Sequence, residues 1–368
     1  MTKAAELAKM GEVLTNGQIG GRRNIIINGA MQVAQRGTSV AWAANGYLAL
    51  DRVATVNNNT AGRFTMKQTA ITDLPGFANA LELDVTTADT SIAAGEVTTL
   101  QFKIEGQDLQ QLKKGTSDAE KVTLSFYAKA NAARVVVAEL MDGDNSRKNQ
   151  QKFTTTTGWT RHILTYAGDT SGALDDDNAE SLQLQMWLHA GTTYTGGTFT
   201  SNTWAATSND DRAAGLGSLY SSTDNNFFIT GVQLEVGSQA TPFEHRSFGD
   251  ELQLCQRYFE SSYNNTVAPA TDTSAGLITT DTMGGDTTTA YLTHQLEYRV
   301  AKRAAPTVVI YDQAEASGKV TSHVTGVSTA NGQTVSTEHA GDKSISMNRA
   351  SGDAANGFRF HYTADAEL

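Results

Sequence analysis

Val122-Thr123-Leu124-Ser125-Phe126-Tyr127-Ala128 and Leu182-Gln183-Leu184-Gln185-Met186-Trp187-Leu188 carry apolar side chains on every second position. A period of two matches a β-strand, whose successive side chains point to opposite faces, and it fits no helix. The reading therefore expects sheets with one face buried and one wetted. Outward from these two stretches, strands are expected over Leu81–Val85, Thr98–Ile104, Val122–Ala128, Arg134–Leu140, Arg161–Tyr166, Leu182–Leu188 and Phe227–Val236. The strand-like run Asn24-Ile25-Ile26-Ile27 ends at an Asn28-Gly29 turn signal. Gln107–Lys114 carries only a weak helical signal, so two sheets packed face to face are the expected architecture.

Composition agrees. Of 368 residues, 39% are hydrophobic and 18% charged, which leaves Thr, Ser, Asn, Gln and Gly to carry the rest, a mixture suited to short strands and many turns. Only 4 prolines occur, against a Pro-rich linker. The length is enough for two or three domains that need no disulfides. The formal charge of -11 works against a sequence-tolerant nucleic-acid binder, which needs a basic surface. The single cysteine, Cys255, excludes an intrachain disulfide and a multi-thiolate metal site. The first residues lack the apolar run of a signal peptide and no segment has the length of a membrane span, so synthesis in a cytosol and no membrane insertion are expected.

The chain divides into four parts. Residues 1–21 are read as an N-terminal helical anchor, because Leu7, Met10 and Leu14 recur at spacings of three and four and form an apolar stripe that needs a partner. Residues 22–246 are a β-sandwich. Residues 247–262 form a joining helix, with Leu252, Cys255 and Phe259 on one stripe over Gly249–Glu260. Residues 263–368 form a smaller C-terminal β domain, with strands expected over Tyr291–Val300, Thr307–Tyr311, Lys343–Asn348 and Gly357–Tyr362 beyond a Thr-, Ala-, Asp-, Gly- and Ser-rich segment over 264–290. No repeat of fixed period is present, against a β-helical solenoid.

Enzyme motifs are absent. No two of the histidines at 162, 189, 245, 294, 323, 339 and 361 stand at the spacing of a helical zinc pair, and no metal role is assigned to them. No phosphate loop, nucleophile elbow or dinucleotide fingerprint occurs. Asp142-Gly143-Asp144-Asn145 and Asp175-Asp176-Asp177-Asn178 are the dense acidic stretches. Their polar neighbours predict solvated turns rather than the apolar walls that would raise a carboxylate pKa; calcium is a weaker reading, without EF-hand spacing. Stacking on a pyranose needs aromatic rings, and Tyr194, Trp204 and Tyr220 lie with Phe199 in the Gly-, Thr- and Asn-rich region 192–226, so these rings are the candidate glycan-binding residues. Trp159 and Trp187 read as core.

Arg22-Arg-Asn-Ile-Ile-Ile-Asn-Gly-Ala-Met-Gln-Val-Ala-Gln-Arg-Gly37, Gly231-Val-Gln-Leu-Glu-Val-Gly237, Thr241-Pro-Phe-Glu-His-Arg246 and Leu254-Cys-Gln-Arg-Tyr-Phe259, in this order, resemble a family of marine and cyanobacterial phage virion proteins labelled tail fibre or structural protein. The resemblance covers about residues 1–260. It implies a jelly-roll sandwich similar to carbohydrate-binding modules, assembled as a homotrimer in a virion fibre, with no catalytic residues. It makes Asn28-Gly29 a turn, Arg36 and Glu235 candidate ion-pair partners and Pro242 a corner. The expected function is a tail-fibre or appendage subunit, attached to other virion proteins by its N-terminus and meeting host surface polysaccharide distally. A capsid decoration or head-fibre protein without a defined ligand is the alternative. A glycan depolymerase using carboxylates such as Asp142 or Asp176 is the third reading.

Overall fold

The computed structural model describes residues 3–4, 22–281, 291–324, 327–350 and 357–368. The anchor residues Leu7, Met10 and Leu14 lie outside the described residues, as does 282–290 of the Thr-rich segment. The chain is mostly β. Thirteen strands up to residue 236 form the first unit: β1 Ser39–Ala41, β2 Gly46–Tyr47, β3 Ala54–Asn58, β4 Arg63–Ala70, β5 Asn79–Thr87, β6 Val97–Glu105, β7 Val122–Ala130, β8 Val135–Asp142, β9 Arg147–Thr154, β10 Thr160–Tyr166, β11 Glu180–Ala190, β12 Ala205–Ala206 and β13 Asn226–Val236. They make a six-stranded sheet, β1-β4-β5-β13-β7-β10, and a seven-stranded sheet, β12-β9-β8-β11-β6-β3-β2. This is the jelly-roll β-sandwich.

All seven expected sandwich strands are present, each with its ends shifted by no more than two residues. Their inward positions build one core. Leu124, Phe126 and Ala128 of β7 and Leu184, Met186 and Leu188 of β11 are buried with Leu81, Leu83, Leu100, Phe102 and Ile229. Each large side chain contributes about 1.5–3 kcal/mol by leaving water.

The expectation that every outward face is wetted fails at two places. Thr123 and Ser125 of β7 are buried, and the return segment beyond β13 bonds to this face: Thr123 Oγ1 donates to Gly237 O at 2.8 Å. On the other sheet, Trp187 points outward yet is only 2% exposed, because the region after β11 folds back over it and packs Ala213, Tyr194, Phe199 and Leu216 around it. That region contains a short helix, Thr192–Thr195, and strand β12. The Asn24–Ile27 run is not a strand. It is tied irregularly to β13, with Ile25 N donating to Leu234 O at 2.9 Å and Asn24 Nδ2 to Val232 O at 2.9 Å. Residues 107–114 form two 3₁₀ turns rather than an α-helix.

A helix spans Phe248–Gln256, capped by Ser247, whose hydroxyl accepts from Asp250 N. It ends before Phe259 because Phe259–Ser261 is a strand (β14) paired with the last strand. The later strands are β15 Ile278–Asp281, β16 Tyr291–Glu297, β17 Thr307–Tyr311, β18 Lys319–Val324, β19 Val327–Thr334, β20 Ser336–Glu338, β21 Ser344–Ala350 and β22 Gly357–Asp365. β22 pairs with β14, β15, β17 and β18, and carries Phe358, Phe360 and Tyr362 into a separate core.

Charge ties this second core to the sandwich. Arg36 pairs with Asp51, Asp365 and Glu367, and its guanidinium lies 3.6 Å from the Phe259 ring centroid. Arg52 pairs with Glu367 and lies 3.5 Å over Tyr258. The expected Arg36–Glu235 pair is not formed. Glu235 instead accepts from Gln233 Nε2 and from the backbone and hydroxyl of Thr241, which holds the corner at Pro242. Asn28 does turn the chain, at φ 60°, and its amide bridges Val33 O and Asp51 O.

Candidate glycan-contact face

The three rings singled out from the sequence lie in different environments. Tyr220 is fully buried in the main core and its hydroxyl donates to Asn57 Oδ1 at 2.8 Å, so it presents no ring face to solvent. Tyr194 is half-buried against Trp187, ring centroids 5.3 Å apart. Trp204 is half-buried, its Nε1 donates to Ala167 O at 2.7 Å, and it lines a small cavity with Lys114, Glu120 and Asp169. The structure does not assemble them into one platform.

A ring platform occurs instead on the outer face of the six-stranded sheet. In β13, Phe227 points into the core and Phe228 out of it, as adjacent strand residues must. Phe228 faces Lys129 of β7 and Glu82 of β5 across the ladder. Trp159, just before β10, stands edge-on to Phe228 at 6.3 Å and 75°. Lys129 Nζ lies 4.7 Å from the Trp159 ring and 5.1 Å from the Phe228 ring. Asp73, in the loop between β4 and β5, accepts from Trp159 Nε1 at 2.9 Å and from Lys129 Nζ at 2.5 Å. These two partners hold its carboxyl below the usual carboxylate range. Trp159 is thus a half-buried surface residue and not the core residue its strand context predicts.

A second group of rings adjoins the same loop. Phe77 lies 5.4 Å from Tyr127, 5.2 Å from Phe243 and 5.3 Å from His245. Phe77, Tyr127 and Phe243 are half-buried and His245 is exposed. The ladder between β13 and β7 slips between Thr230 and Gln233, and Gly231 takes φ +63° there. A Cβ on Gly231 would stand 2.8 Å from Phe77 Cζ, so glycine is needed both for the backbone and for the ring.

The face combines flat apolar rings with an anchored carboxylate, an ammonium group and the half-exposed Glu82 beside them. Rings of this kind can stack on the C–H face of a sugar while the charged groups take hydroxyls. Sequence reasoning missed it, although the pairs Phe126-Tyr127 and Phe227-Phe228 carry a readable signal: two adjacent aromatics on a strand force one of them outward.

The carboxylates considered for catalysis are separated by environment. Asp176 is exposed in its turn, as expected. Asp142 is fully buried instead of solvated, paired with Lys114 and accepting from Asn145 N at 3.0 Å. Lys114 also pairs with Asp169 at 3.1 Å, and Arg147 reaches Asp169 at 2.7 Å. Asp142 is therefore locked in an ion-pair cluster.

No family model matches the chain, and no curated protein does. Solved structures do match. One described as "CBM4 structure and function" is 12% identical with a TM-score of 0.29, covering 57% of this chain and 99% of its own. A family 61 module in complex with β-1,4-galactotriose is 8% identical with a TM-score of 0.30, covering 58% of this chain and 99% of its own. The enzymatically active domain of tailspike protein 4 of bacteriophage CBA120 is 10% identical with a TM-score of 0.30; the match covers 58% of this chain and 21% of that one. With TM-scores this low, none of these likenesses bears on what the chain binds.

Proposed function

We propose that this chain is a non-enzymatic β-structural protein of a phage particle that contacts carbohydrate through the Trp159–Phe228 face. The observation that carries the carbohydrate reading is the pair of half-buried rings, 6.3 Å apart, flanked by Lys129 and by an Asp73 that fixes the indole. The virion reading rests on the ordered motifs from Arg22 to Phe259 and their resemblance to phage fibre proteins. Assembly as a trimer through residues 1–21 belongs to the same proposal, and three weak sites on one particle would supply avidity.

A glycan array probed with the full chain and with W159A/F228A tests it. Binding of a defined polysaccharide class by the parent and its loss in the folded double variant is the expected result. Equal binding by both moves the site elsewhere, and release of reducing ends from a bound glycan overturns the non-enzymatic reading. Native mass spectrometry of the full chain tests the trimer, which a stable monomer at micromolar concentration would rule out.

A further inference from the structure

Asp89 and Glu96, both in the loop between β5 and β6, and His189, near the end of β11, each offer a donor atom within 4.8 Å of the other two. All three are buried: His189 is 0% exposed, Glu96 3% and Asp89 7%. His189 Nε2 lies 2.8 Å from Glu96 Oε2. We infer that this cluster is a binding site for a divalent transition metal of the zinc class, held by the His189 imidazole and the two carboxylates.

The argument rests on how the three side chains are aimed. Other groups hold each side chain, the Asp89 carboxylate through both of its oxygens, as in metal sites whose outer partners orient the ligands. His189 Nδ1 lies 2.7 Å from Ser218 Oγ, which turns Nε2 towards the carboxylates. Glu96 Oε1 accepts from Ala93 N at 2.8 Å. Asp89 Oδ2 accepts from Thr60 Oγ1 and Ala61 N, both at 2.7 Å, and Oδ1 accepts from Ser91 N at 3.3 Å. The ladder from β11 to β6 shifts register between Trp187 and His189, a local irregularity of the kind that re-aims a side chain. Tyr220 walls the site, its ring 5.1 Å from that of His189.

One nitrogen and two carboxylate oxygens suit zinc and its neighbours in the first transition series better than calcium or magnesium, which prefer all-oxygen shells. Ligand bonds of about 2.0–2.2 Å put neighbouring donors on a tetrahedral ion roughly 3.3 Å apart. The His189–Glu96 hydrogen bond at 2.8 Å would open by about 0.5 Å to admit the ion between its two atoms, and the Asp89 donor lies within 4.8 Å of both. A metal here would clamp that segment and the Ser218 turn to the end of β11. Glu96 and His189 are 93 residues apart, which is why no spacing motif reveals the site.

The full chain, stripped with a chelator and dialysed against limiting zinc, should take up one equivalent measured by elemental analysis. Glu96→Gln and His189→Gln should each lower the affinity about tenfold or more, Ser218→Ala about tenfold, and His339→Ala, 82% exposed on the side chain, should leave it unchanged. Zinc should also slow hydrogen exchange in 88–96 and 189–191 of the parent, a readout that needs no variant to fold. Absence of saturable uptake by the folded parent, uptake unchanged in Glu96→Gln, or protection confined to other segments would overturn the proposal.

Discussion

Trp159 Nε1 donates a 2.9 Å hydrogen bond to Asp73 Oδ1 while Lys129 bonds to the other oxygen of the same carboxylate. The carboxylate therefore fixes the indole plane on a half-buried face, beside Phe228 and under Lys129.

Trp159→Ala is expected to reduce glycan binding by about tenfold or more, since loss of a stacked ring at a binding surface costs on the order of 2 kcal/mol. Asp73→Asn keeps an acceptor for Nε1 but loses the negative charge that pairs with Lys129, and a smaller reduction should follow. Isothermal titration with a polysaccharide identified on the array would read both. Neither change should shift the denaturation midpoint appreciably, because both residues sit at the surface.

Lys302 and Glu260 form a fully buried ion pair at 2.6 Å, with Glu260 also accepting from Arg299 N and the Tyr362 hydroxyl. Lys302→Met strands a buried carboxylate and should destabilise the chain by about 3–5 kcal/mol. Adding Glu260→Gln to that variant should recover part of the loss. Urea denaturation followed by circular dichroism would compare the two, and a double variant less stable than the single one would contradict the argument.

Burial pushes the Asp51 carboxyl up to about 6, and the opposing attraction of Arg36 does not cancel it. The unfolded carboxyl titrates near 3.9. A group whose folded pKa is raised contributes stability that is fully present below the unfolded value and is lost as pH rises through the folded one. Stability relative to Asp51→Asn should accordingly fall from about pH 4 to about pH 6 and level off above. Denaturation midpoints of the two proteins across that range would show it, and a flat difference would refute it.

Cys255 is fully buried on the helix Phe248–Gln256, and burial raises its thiol well above the ordinary value. It sits in a small cluster with Ile27, Val33 and Tyr258. A thiol reagent at pH 8 should leave it unmodified in the native protein and label it fully in denaturant. Native labelling at the rate of a free thiol would place the helix elsewhere.

The strands of the sandwich were legible wherever alternation was strong, and a helix over Phe248–Gln256 was legible from the stripe Leu252, Cys255. Strands β18 and β19 escaped notice because Lys319–Val324 and Val327–Thr334 are polar and short of large apolar side chains, so their pairing with each other and with β22 decides their state. Phe259 was read as the end of a helix, but β22 captures it as a strand.

The candidate face shows the same division. Alternation along the chain sets Trp187 on the face opposite Leu184, Met186 and Leu188 and sends one of Phe227 and Phe228 outward, since a period of two admits only two directions. Tertiary structure alone decides that Trp187 is covered by the returning loop while Phe228 is left beside Trp159, and that Asp89, Glu96 and His189 meet. Local periodicity assigns a side chain to a face, whereas what lies on that face is set by contacts between residues distant in the chain.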